Sequence, residues 1–178
     1  MIPALALVAA WQGLIWMGEG AERQGRYEEA LAFARSTGKP LLVVGGPFGS
    51  VIRASLGQAR HGYGDYCMDL DPSACRGAPP GCTVVRADVR SIPYGDGYFG
   101  AAFVSHVLEH LASVEECARA VAELRRVAGR VYVVSPSGQS LMGAVHWEHR
   151  LWIEQLPDGT VSIEDRSGPA YSRRKARA

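Results

Sequence analysis

Apolar positions fall into short blocks along the chain, and the spacing within each block predicts its element. From Ile2 to Gly18, seventeen residues pass without a charge: IPALALVAAWQGLIWMG. Residues 19–38 switch to helical spacing. Tyr27, Leu31 and Ala34, with Ala30 beside them, form one face, Glu and Arg fill the others, and Gly38 supplies a stop. After Pro40, LLVV at 41–44 is wholly apolar, the pattern of a strand buried on both faces. A glycine-rich turn at 45–49 and a helix over 50–60 are expected next. YCMDLD at 66–71 and CTVVRAD at 82–88 read as strands separated by a loop over 73–81. FGAAFVSHVL at 99–108 begins as a strand. Ser113 and Glu116 form a capping box that opens a helix, and Val114, Cys117, Val121, Leu124 and Val127 give it an apolar stripe. RVYVVS at 130–135 is a β-branched strand, and RLWIEQ and TVSIED flank Leu-Pro-Asp-Gly as an antiparallel hairpin. Strands alternating with helices, closed by a hairpin, predict an α/β sandwich on a mainly parallel sheet.

Composition narrows this little. With 178 residues, 47% apolar and 21% charged, the chain suits one globular domain. A net charge of +1 argues against a nucleic-acid partner bound by overall electrostatics. Cys67, Cys75, Cys82 and Cys117 include no C-x-x-C pair, so reduced, partly buried thiols are expected. The basic end SRRKARA, with the tail set at 171–178, reads as a solvated, frayed terminus.

The run over 2–18 allows two readings. A spanning helix needs about 20 apolar residues, so the stretch sits at the lower limit, with Gln12 and Gly13 weakening its middle. It is either a membrane anchor or an apolar helix docked on the domain or on a partner protein. The body of the domain is then 19–170. If the run spans, Arg23, Arg26, Arg35 and Lys39 behind it put the domain on the cytoplasmic side.

Candidate chemistry gathers where the strands end, because ligands of open α/β sheets bind beyond the carboxyl ends of the strands. The first strand runs into Gly45, Gly46, Pro47, Phe48 and Gly49, glycines that let the backbone turn and approach a ligand. The second ends at Asp69, whose carboxylate can accept from both hydroxyls of a ribose or serve as a turn acid beside Asp71. The third ends at Asp88, which can take an adenine amino group or cap a loop. The fourth ends near Ser105 and His106.

Residues 41–134 resemble class I S-adenosylmethionine-dependent methyltransferases, in particular the type 11 group. VVRADVRSIPYGDGYFGAAFVSHVLEHL at 84–111 carries the match, and ELRRVAGRVYVVSPS at 123–137 is similar to the helix and fifth strand that follow. The resemblance implies a three-layer sandwich with a trimmed Rossmann-like methyltransferase fold, trimmed because the segment between Asp71 and Cys82 is too short for a second crossover helix. It implies S-adenosylmethionine as cofactor. Gly45, Gly46 and Gly49 would border the methionine part, and Asp69, with Leu70 beside it, would hold the ribose. Asp88 and Val89 would frame the adenine, and Ser105 and His106 would line the floor. The acceptor, small molecule or lipid, is unidentified, and the alternative is a non-catalytic scaffold in a membrane complex. Three positions depart from the family's pattern: Val43 replaces an acid, Pro47 a glycine and Gly100 an aspartate.

His106, Glu109 and His110 also fit the H-x-x-E-H pattern of inverted zinc peptidases, with His146 and His149 further on. The preceding run reads as a strand, however, and the same residues belong to the methyltransferase block. No metal is therefore expected.

Overall fold

A computed structural model describes residues 4–48, 56–141, 145, 146, 148–166 and 175–178. The expected helix over 50–60 falls mostly outside the described residues, of which 56–60 form turns. Helix α1 is Ala4–Thr37 and α2 is Val114–Val127. Strands β1 to β5 are Leu41–Val44, Tyr66–Asp69, Thr83–Arg86, Phe99–Ser105 and Ala128–Val134. All five run parallel in the order β3-β2-β1-β4-β5. A separate antiparallel sheet holds β6 (Leu151–Gln155), β7 (Val161–Asp165) and β8 (Lys175–Arg177).

The alternation of side chains along each strand sorts the core into two halves. Leu41, Val43, Ala101, Phe103, Tyr132 and Val134 face α1, which meets them with Tyr27, Ala30 and Ala34. Leu42, Val44, Ala102, Val104, Val131 and Val133 face the other way, onto α2 and the inner face of the second sheet. The result is three layers: α1, the parallel sheet, and α2 with β6 and β7. The hairpin has the expected register, Leu151 opposite Asp165 and Gln155 opposite Val161. Gln155 also seals the outer edge of β5, accepting from the Val133 N–H at 3.0 Å and donating to the Val131 carbonyl at 2.8 Å. An unpaired edge is thereby satisfied.

Four features differ from expectation. First, α1 is one continuous helix that crosses the boundary expected at 18 and 19. Its first half exposes Leu7, Leu14 and Met17 (57%, 68% and 73%), while Gln12 and Glu19 tie it to the loop after β5. Gln12, which looked like a flaw in a span, is a buried double hydrogen-bonder to Gln139 and Leu141. Among the described residues no helix is long and apolar enough to cross a membrane. Second, the basic end is not wholly frayed: Lys175–Arg177 pairs with β7, and Ala178 exchanges two backbone hydrogen bonds with Val161. Third, Cys67 and Cys75 form a disulfide, correcting the expectation of four reduced thiols; Cys82 and Cys117 are free. Spacing alone could not reveal a pair set by the turn after β2. Fourth, the Ser113 hydroxyl accepts from the Glu116 N–H at 3.2 Å, but Glu116 reaches back to the Ala112 N–H rather than to that of Ser113.

Candidate active site beyond the carboxyl ends of the strands

A cavity of about 970 Å³ opens above β1, β2 and β4. Gly45, Gly46, Asp69, Ser105 and His106 all line it. Gly49 lies outside the described residues. Asp88 and Val89 are not on its wall: both Asp88 oxygens are held by Arg90, at 2.9 and 2.6 Å, and Val89 is buried in the core. Leu70 is 64% exposed beside Asp69.

The glycine end is built for close approach. Gly45 has φ +89°, and a side chain there would meet the Ser105 carbonyl at 2.5 Å. At Gly46 a Cβ would drive into the Ala74 carbonyl. Ala74 sits in a 3-10 turn, Pro72–Cys75, which Asp71 caps by accepting from the Ser73 N–H and hydroxyl. The disulfide fastens this turn to β2, so the turn after β2 and the loop after β1 close on each other. Gly100, one of the departures, has the same kind of reason: a Cβ would strike Ala34 of α1 at 2.8 Å. Val43 is fully buried in the cluster facing α1.

The two acids after β2 differ. Burial pushes the Asp69 carboxyl above its ordinary value, against the lowering pull of the Asp71 N–H at 2.9 Å. The Ser73 hydroxyl and N–H instead hold Asp71 below its ordinary value. Asp71 is therefore engaged as a cap, while Asp69 presents a half-buried carboxylate to the cavity. Arg90 likewise keeps Asp88 low.

The β4 end carries a chain of charge. His106 takes a left-handed backbone, φ +55°, uncommon outside glycine. Arg23 of α1 donates from Nη2 to its Nε2 at 2.6 Å, so that ring nitrogen is the acceptor. The other ring nitrogen, Nδ1, lies 3.2 Å from Glu109 Oε1, without a well-aligned hydrogen bond. Glu109 is 1% exposed, and its Oε2 accepts from the Ser135 hydroxyl at 3.2 Å. Burial alone would raise its carboxyl; His106, its own backbone and His110 outweigh that and hold it below its ordinary value. Sequence spacing placed Glu109 only in an H-x-x-E-H pattern and Arg23 only among the basic residues behind the apolar run; their meeting at His106 was not foreseen, since Arg23 lies 83 positions from that histidine.

A sequence model of the methyltransferase domain, type 11, matches residues 43–133, just over half of the chain. The chain belongs to this methyltransferase family. The family is one of S-adenosylmethionine-dependent enzymes. No curated protein matches the sequence. Among solved structures, this methyltransferase domain is similar to the sugar N-methyltransferase KedS8 from Streptoalloteichus, with 17% identity and a TM-score of 0.46, covering 93% of this chain and 75% of that one. It is similar to CalS10, an amino pentose methyltransferase from Micromonospora echinaspora, with 19% identity and a TM-score of 0.43, covering 86% and 74%. It also resembles the [4+2]-cyclase SpnF, with 21% identity and a TM-score of 0.37, covering 52% of this chain and spanning only 37% of the cyclase's length.

Proposed function

We propose that the chain transfers the methyl group of S-adenosylmethionine to an acceptor held near the end of β4. The observation that carries this reading is the cavity, which gathers Gly45, Gly46, Asp69, Ser105 and His106 from three neighbouring strand ends. The donor set suits the cofactor: a half-buried carboxylate for ribose hydroxyls beside glycine backbone that can approach closely. The sulfonium is an activated donor, so the reaction needs alignment more than acid–base chemistry. Asp69 would fix the ribose. The strand ends would hold the acceptor in line, and the buried Arg23–His106–Glu109 chain keeps the β4 end rigid.

The test is turnover. Full-length protein incubated with methyl-labelled cofactor and pooled hydroxyl, amine and lipid acceptors should release S-adenosylhomocysteine and label one pool. Cofactor binding with no transfer to any pool would instead favour a cofactor-binding scaffold, a reading supported by Pro47 and Phe48 in the glycine loop. A cytoplasmic site of action is part of the proposal, because the donor is made inside cells. The exposed apolar residues of the first half of α1 support contact with a partner surface or membrane there; carbonate extraction of cells expressing the full chain would detect membrane retention.

A further inference from the structure

We infer that a transition-metal dication binds beside the cofactor cavity, ligated by Glu109, His110 and His149. Glu109 and His110 end the 3-10 turn Leu108–His110 that follows β4, and His149 comes just before β6. One ligand atom from each lies within 4.8 Å of the others. Bonds of about 2.0–2.2 Å from nitrogen and oxygen would close this set on one ion after a small inward rotation of the imidazoles. The two segments are already joined, because the Arg150 N–H donates to the Glu109 carbonyl at 2.8 Å. His146 stacks on His149, with centroids 4.3 Å apart and planes 17° apart, within reach as a further imidazole.

The second observation is Glu109 itself. It is a carboxylate 1% exposed whose Oε1 has no well-aligned hydrogen bond, only the His106 Nδ1 at 3.2 Å, and a buried carboxylate satisfied so incompletely has coordination to spare for a metal. Its Oε2 accepts from Ser135, and its Oε1 lies 3.2 Å from His106 Nδ1, whose other nitrogen accepts from Arg23, the sort of outer contacts that orient metal ligands. Two imidazoles with one carboxylate suit zinc, iron, nickel or copper. Calcium and magnesium prefer all-oxygen sets. His110 and His149 line the same cavity as Asp69 and Ser105, so coordination positions left open by three protein ligands face the space where an acceptor would lie. The ion therefore suits an acceptor that offers an oxygen ligand. That role rests on the methyl-transfer reading, whereas binding of the ion does not.

The experiment titrates untagged, metal-stripped full-length protein with Zn²⁺ against a chromophoric chelator, and in parallel with S-adenosylhomocysteine. One equivalent of Zn²⁺ per chain is expected, with affinity falling at least about tenfold in both His110→Ala and His149→Ala. Both of these side chains are at least partly exposed, so the variants should fold even where Glu109→Gln does not. No stoichiometric uptake by folded wild-type protein, or wild-type affinity in both variants, would overturn the site. Zinc uptake without S-adenosylhomocysteine binding would uphold the site and remove only its role in methyl transfer. Binding of S-adenosylhomocysteine without zinc uptake overturns the site and leaves the proposed function standing.

Discussion

Strands β1 and β4 lie side by side, yet their carboxyl ends are made of opposite materials. The β1 end is glycine, with hardly a side chain, and its shape comes from the Ala74 turn that the Cys67–Cys75 disulfide fastens against it. The β4 end is crowded with titratable groups, held in place by Arg23 from α1 and Ser135 just after β5. Backbone approach suits a cofactor common to a whole family. Specific side chains suit the acceptor, which differs between enzymes. The difference teaches where the chain keeps its individuality: at β4, in residues that only tertiary structure brings together.

The comparison breaks most severely if the charge chain at β4 is cut. Glu109→Ala would remove the buried carboxylate that His106 Nδ1 and the Ser135 hydroxyl both face, and should cost about 3–5 kcal/mol in urea unfolding. The same change at exposed Glu115 should cost little.

His61 sharpens the contrast, because it lies under the β4 side, packed on Phe103, and is held neutral. Burial pushes it down to about 4, with its Nδ1–H donating to the Gly62 carbonyl. Its folded value lies below the unfolded one near 6.5, so the unfolded chain binds the extra proton between the two. Stability should be full above about 6.5 and fall by about 3 kcal/mol as pH drops towards 4. His61→Gln should flatten that part of the profile of unfolding against pH.

At the glycine end the brace is the disulfide. Its short loop predicts a loss of about 2–3 kcal/mol for Cys75→Ser. Thiol titration of the unfolded, unreduced protein should count the two free cysteines, Cys82 and Cys117. Four reactive thiols would remove the brace from the account.

The smallest effects separate the two acids after β2. Asp69→Ala should weaken S-adenosylhomocysteine binding by about 1.5–3 kcal/mol, the range for a hydrogen bond to a charged group. Asp71 also lines the cavity but has its carboxylate engaged by the Ser73 N–H and hydroxyl, so Asp71→Ala should change binding by only about tenths of a kcal/mol. Equal losses would erase the distinction.

The parallel strands were legible because each is a short apolar run bounded by glycine, proline or acids. The glycine loop and Asp69 were legible because strand ends are where such folds bind ligands. The continuity of α1 was hidden by Gly18, Glu19 and Gly20, which look like a break but sit in the helix with open space at both glycines. Strand β8 was hidden because Lys175, Ala176 and Arg177 lack strand composition; they pair with β7 through their backbone and through Lys175 Nζ, 2.9 Å from Glu164. The grouping of His110 with His149, and of Arg23 with His106, depends on chain segments far apart in sequence. No local pattern encodes either.

The central claim is that the donor lies across the β1 and β4 ends with its ribose on Asp69. A crystal structure of the complex with S-adenosylhomocysteine tests it most directly. The account predicts both ribose hydroxyls within hydrogen-bond distance of the Asp69 carboxylate, and the sulfur above Gly45 and facing His106. Nucleoside density elsewhere, with Asp69 still bonded to neighbouring backbone N–H groups alone, would contradict it.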